Sequence, residues 1–169
     1  MKGYIRRYSQ TSEYIEMKAC KEFYPALKEN MASLGLPVPS SLFESQQMAI
    51  GTLTTLLSTF KSLGAGATVG ELIVATTGLE KLLVLSSIGA SYYIGALIGS
   101  MIVATDESLA CANKTVSTIS KIQLWAGRNG LPVPTEIYYL IARHPEIMNP
   151  SINSRACAGR ARVSGRAAA

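Results

Sequence analysis

The sequence predicts an all-α fold in which amphipathic helices surround a central hydrophobic helical hairpin. Three observations predict it. No stretch alternates apolar and polar residues convincingly with period two, so no strand is indicated. Apolar residues recur at alternating three and four spacing before and after the centre. In the centre itself, Leu82 to Thr105 (LLVLSSIGASYYIGALIGSMIVAT) runs for twenty-four residues without a charge. As one helix rising about 1.5 Å per residue, that run would measure roughly 36 Å, more than the hydrocarbon core of about 30 Å.

The chain has 169 residues and reads as one helical domain over residues 1–150, followed by a basic tail, 151–169, without period and expected to be disordered. The first predicted helix covers about 11–34, where Met17, Cys20, Tyr24, Leu27, Met31 and Leu34 form a stripe. Pro25 lies inside this pattern and should kink the helix or start a new one near Tyr24. An elbow follows. Gly35-Leu36-Pro37-Val38-Pro39 recurs ninety-five residues later as Gly130-Leu131-Pro132-Val133-Pro134. The glycine suits a left-handed helix end, and the prolines force an extended stretch before the next helix. Whether the two copies are a true repeat or a chance duplication, both mark helix boundaries.

Ser41 with Glu44 fits a capping box, so a helix is expected from Ser41 to about Lys61. Its charge-free part, Ser45 to Phe60, is rich in Thr and Ser, which suits a polar path better than a lipid-facing surface. The hairpin, Gly64 to Thr105, comes next. Its first arm, Gly64 to Leu79, is interrupted only by Glu71, and Glu80-Lys81 forms the charged tip. A helix from about Asp106 to Trp125 carries Leu109, Ala112, Val116, Ile119 and Ile122 on one side, with Thr105 as its expected N-cap and Asp106-Glu107 at its positive end. A last short helix covers about Thr135 to Ala142.

A mean hydropathy of +0.22 is high for a cytosolic globule, and the excess comes from the centre. Net charge is +2 over residues 1–61, −1 over 62–105 and +4 over 106–169. Basic flanks around an apolar centre fit the positive-inside bias with both ends on one side, and they also suit attraction to anionic lipid. The basic tail lacks aromatic interleaving and any recognisable module, so no nucleic acid partner is expected. The opening MKGYIRRYSQTSEY has no apolar core, so a Sec signal is not expected, and export would need another machine. Cys20, Cys111 and Cys157 form neither a metal pattern nor a disulfide framework.

Catalytic chemistry is poorly supplied. The chain has one His, His144, and one Asp, Asp106. No phosphate loop or nucleophile elbow is present, and Cys20 with His144 is a weak thiol–imidazole pair. The reading is therefore a non-enzyme, without cofactor or metal. The glycines of the centre are better explained by helix contact. Gly66-xxx-Gly70 lies in the first arm, and Ser91, Gly95 and Gly99 lie in the second, a spacing that lets helices approach closely in lipid. Glu71, Glu80 and Lys81 are the polar points of the hairpin. A mid-bilayer charge costs about 2.5–3.5 kcal/mol, so Glu71 would face a pore, be protonated on entry, or stay paired in a soluble core, with Lys81 as a partner. Tyr92 and Tyr93, at the middle of the long run, also depart from an interfacial belt.

The helices wrapped around a central apolar hairpin, Gly64 to Thr105, resemble the pore-forming domains of colicins. In its small size the chain looks more like the pore-forming effectors delivered by bacterial type VI secretion. The hairpin of colicins lies near the end of its domain, whereas here about sixty residues follow it. The resemblance implies a soluble form carried by a chaperone or tube protein, a neutralising immunity protein, insertion into a target cytoplasmic membrane, and depolarisation through a self-associated pore. Two other readings stay open: a resident inner-membrane protein with two spans, holin-like or an immunity protein, and a soluble helical protein whose most apolar helix is buried in its core.

Overall fold

The computed structural model describes residues 22–106 and 117–148. The N-terminal half of the first predicted helix, the stretch carrying Leu109, Ala112 and Val116, and the tail 151–169 lie outside the described residues. Within them the fold is all-α, with one isolated bridge between Thr68 and Gly89.

Helix α1 (Phe23–Ser33) starts where Pro25 requires it, with the proline in the first turn, where a missing N–H costs nothing. Leu27 and Met31 are buried, as the stripe predicts. The elbow after it is a Schellman-type ending. Gly35 has φ +73°, and Leu36 N–H donates back to the Met31 carbonyl at 2.9 Å. The second elbow repeats the geometry, with Gly130 at φ +65° and Leu131 N–H donating to the Ala126 carbonyl at 3.0 Å. Pro39 and Pro134 each stand at the N-cap of the next helix. The two motifs thus build the same joint.

After the first joint the chain departs from the expected single helix. Four residues form α2 (Ser40–Phe43), and α3 (Gln46–Leu63) begins afresh. Ser45, not Ser41, is the cap, its hydroxyl accepting from Met48 N–H at 3.2 Å. The Ser41–Glu44 capping box is not formed, because Ser41 is already inside α2. Helix α3 buries Ala49, Leu53, Leu56, Leu57 and Phe60. Two hydroxyls on its other side are turned back onto the helix. Thr54 and Thr55 donate to the carbonyls of Ile50 and Gly51 four residues back.

The hairpin is broken into shorter pieces. Its first arm yields only α4 (Val69–Ala75), and the next six residues form a 3-10 turn, Glu80–Leu85. The long run is one helix only from Ala90, as α5 (Ala90–Thr105). The cause lies in the start of α4, whose first N–H groups have no partner within the helix. Val69 N–H donates to the Ile88 carbonyl at 2.8 Å and Gly70 N–H to the Ser86 carbonyl at 3.0 Å. In return, Ala90 N–H donates to the Ala67 carbonyl at 2.8 Å. Ser86 and Ile88 spend their carbonyls across the hairpin, and residues 86–89 stay outside the helix. At 16 residues, α5 measures about 24 Å, and no helix among the described residues is long and apolar enough to cross a membrane.

Helix α5 is the axle of the fold. Twelve of its residues are buried, from Ala90 to Val103. It packs chiefly against α1 and α7 (Thr135–Arg143), and also against α3, α4, α6 (Thr118–Arg128) and a closing 3-10 turn, Pro145–Ile147. Thr105 is the last residue of α5, not an N-cap. Its hydroxyl donates to the Met101 carbonyl at 2.7 Å and accepts from Trp125 Nε1 at 3.1 Å. Asp106 pairs with Arg128 at 2.7 Å, which ties the end of α5 to the end of α6.

Candidate functional site

The polar points of the hairpin are held locally. Thr68 is the N-cap of α4, and Glu71 is the matching third residue. Glu71 Oε2 accepts from Thr68 N–H at 2.6 Å, while Glu71 N–H donates to the Thr68 hydroxyl at 3.3 Å. This reciprocal capping box satisfies two otherwise unpaired donors. Thr68-Val69-Gly70-Glu71 is its plain sequence signal, obscured by reading Glu71 as a charge inside a span. Glu71 is exposed, and it bonds to Thr68, not Lys81. Glu80 likewise serves the backbone, accepting from Gly78 N–H at 3.0 Å. That bond, with one from its own amide, holds its carboxyl below the ordinary range. Lys81 is exposed beside it.

Around these groups the tip is apolar and open to water. Val74 on α4 is 90% exposed, and Leu83 and Val84 on the 3-10 turn are 67% and 85% exposed. The two elements pack on each other, while Leu72, Leu79, Leu82 and Leu85 turn inward. So the segment that feeds into α5 carries three large apolar side chains that the fold leaves uncovered.

The glycines divide sharply. Gly66 is exposed in the turn before α4, where a Cβ would meet nothing within 4 Å, so it gives no packing surface. Gly70 does, but against the hairpin backbone. A Cβ there would sit 2.9 Å from the Ser86 carbonyl oxygen. Gly95 and Gly99 pack against the C-terminal arm, not the first arm of the hairpin. A Cβ at Gly95 would lie 2.8 Å from Leu140 Cδ2, and one at Gly99 would overlap Ile147 Cγ2 and lie 3.2 Å from Met148 Cγ. Ser91 is half-buried at the start of the same helix.

One buried polar cluster was not anticipated. Asn30 is only 4% exposed. Its Nδ2 donates to the Ser100 hydroxyl at 2.7 Å and to the Ile147 carbonyl at 3.1 Å. Its Oδ1 has no partner among the described residues. The signal was available: Asn30 stands three residues after Leu27 on the apolar stripe, and Ser100 interrupts the most apolar helix. Nearby, Tyr93 is buried with its hydroxyl 3.5 Å from the Pro37 carbonyl, and burial pushes its ionisation upward. Tyr92 meets the His144 ring edge-on at 5.5 Å, and His144 Nδ1 lies 2.8 Å from Glu146.

A shallow groove of about 300 Å³ runs between α2, α3 and Thr77-Gly78-Leu79. It is lined by Ser41, Thr52, Thr55, Thr77 and apolar neighbours, and no titratable side chain lines it to serve these hydroxyls as acid or base. No cluster of three potential metal ligands occurs among the described residues. No protein-family model matches the chain, and neither curated proteins nor solved structures gave a match.

Proposed function

We propose that the protein is a membrane-inserting, pore-forming protein whose apolar helix is carried folded inside an amphipathic jacket. One observation carries the reading. The charge-free helix α5 is enclosed by the other helices, while Val74, Leu83 and Val84, on the segment leading into it, stand in water. Moving such side chains into lipid is worth roughly 1.5–3 kcal/mol each. The basic charge balance favours an anionic surface.

The geometry also supplies a route to a span. Residues 86–89 are held out of a helix by the Val69 and Gly70 amides. If α4 lets them go, Leu82–Leu85 and α5 become continuous, and the helix of about 36 Å that the sequence suggests is restored. Glu71 leaves its capping box in that step and becomes the group to protonate or to place in a lumen. With Glu80 and Lys81 it forms the polar part of the inserted hairpin. Small-residue contacts through Gly95 and Gly99 then serve self-association in lipid.

The architectural resemblance extends the proposal to an antibacterial effector exported by type VI secretion, with a chaperone or tube protein as carrier and an immunity protein in its producer. It would act at the target cytoplasmic membrane and dissipate ion gradients. A competing reading, a soluble protein for which α5 is simply the core, draws support from the Thr68–Gly89 bridge and the Ser86 and Ile88 carbonyls paired across the hairpin. A resident two-span protein has less support, since neither arm forms one helix. Release of trapped dye from anionic vesicles by purified, detergent-free protein separates them. Rapid release supports the proposal. Folded protein that leaves vesicles intact at acidic and neutral pH overturns it in favour of the soluble reading. Protein obtainable only in detergent overturns it in favour of the resident one.

A further inference from the structure

The chain closes over its own apolar helix with the segment 135–148. Tyr92, Gly95 and Gly99 lie three and four residues apart, so they form one face of α5. Every position on that face is met by this segment. His144 packs on Tyr92, Leu140 and Ile141 fill the space over Gly95, and Ile147 and Met148 fill that over Gly99. The absence of side chains at 95 and 99 is what lets the segment lie so close.

The far end of this segment is fixed differently. Ile147 is held by its backbone carbonyl, which accepts from Asn30 on α1. Asn30 is buried with Oδ1 unpartnered, so one of the anchor's polar atoms gains nothing from the closed arrangement. The helix that leads to it is also weak alone. Helix α7 has nine residues, fewer than the roughly 12–15 at which isolated helices become marginal in water. Its order therefore depends on what it covers.

We propose that residues 135–148 form a detachable strap that keeps α5 inside the folded jacket, and that α5 enters a bilayer only after the strap lifts. This inference rests on the membrane reading above. The strap leaves by breaking the Asn30–Ile147 anchor and withdrawing Leu140, Ile141 and Ile147 from the glycine face. The same face is then open to another helix.

A reversible cross-link tests it in the full chain. Cys20, Cys111 and Cys157 are replaced by Ser, and Tyr92→Cys is combined with His144→Cys, across the ring contact. The pair Asn30→Cys with Ile147→Cys, across the anchor, serves if the first variant does not fold. Each variant is compared oxidised and reduced, on anionic vesicles with trapped dye. The strap predicts release about tenfold or more slower when oxidised, restored by reductant. Equal rates in both forms would overturn the strap while leaving the membrane reading intact. Release by neither form, nor by the unmodified chain, would overturn the membrane reading and the strap with it.

Discussion

The Asn30 side-chain amide donates to the Ser100 hydroxyl at 2.7 Å across seventy residues of sequence. The bond joins α1 to α5 in the interior, where both residues are buried. With the second bond to the Ile147 carbonyl, it sets the register of three elements at one point. A polar contact that deep is specific because a shift of either helix leaves its partners unsatisfied.

That register is open to a double-mutant cycle. Asn30→Ala should lower unfolding free energy by about 1–3 kcal/mol, since it strands Ser100 and the Ile147 carbonyl. Ser100→Ala should cost less in the Asn30→Ala background than in the wild type, by about 0.5–3 kcal/mol of coupling. Urea denaturation measures both, and strict additivity would show that the two side chains do not act together.

Three glycine-to-alanine changes should differ in sign. At Gly99 the new methyl overlaps Ile147 Cγ2 and faces the Ile147 carbonyl oxygen, so overpacking of about 1–3 kcal/mol should exceed any helix gain. At Gly95 the closest atom is the end of the flexible Leu140 side chain, so a smaller loss is expected. At Gly51, exposed within α3 and with nothing within 4 Å, alanine should stabilise by about 0.5–1 kcal/mol. Thermal melts rank the three, and a stabilised Gly99→Ala would contradict the close approach of the strap.

Glu71 separates a capping role from a lumen role. Gln also closes a capping box, so Glu71→Gln should leave stability within about 0.5 kcal/mol of wild type. Thr68→Ala removes the cap itself and should cost about 0.5–2 kcal/mol. In vesicles the reading is different. Glu71→Gln should change ion selectivity or the pH dependence of release, and unchanged currents would remove Glu71 from the pore.

Acid should loosen the tip and the strap together. Backbone amides hold Glu80 below the ordinary carboxylate value of 4.5, through Gly78 first. Glu146 is lowered by its own backbone amide and by the His144 ring. A carboxylate depressed in the folded state stabilises it above the unfolded value, and that contribution is lost as pH falls through the folded one. Stability should therefore decline as pH drops below about 4.5, and less steeply in Glu80→Gln and Glu146→Gln. A flat profile in the wild type would exclude this linkage.

Much of the architecture is legible in the residues themselves. Both Gly-Leu-Pro-Val-Pro elbows, the start of α1 at Pro25 and the span of α7 follow from local chemistry, and each is built by bonds within a few residues. The broken hairpin is another matter. Apolarity gave the length of the run, but its interruption at 86–89 depends on Val69 and Gly70 amides from another element. Gly95 and Gly99 are positions of close packing in the folded chain, but not against the first arm of the hairpin. Their partner, the strap, lies some forty-five residues downstream, beyond any helical period. Asn30 escaped notice because the stripe was read by its apolar members.

The most direct test of the account is the depth reached by Tyr92 in a bilayer. It lies near the middle of the run from Leu82 to Thr105. A tryptophan replaces it, Tyr92→Trp, in a chain carrying Trp125→Phe, and its fluorescence is read in anionic vesicles of lipids brominated at shallow or deep acyl positions. Insertion of a continuous helix predicts the strongest quenching from the deepest bromines. Quenching by shallow bromines alone, or none, would contradict insertion and leave α5 as the core of a folded bundle.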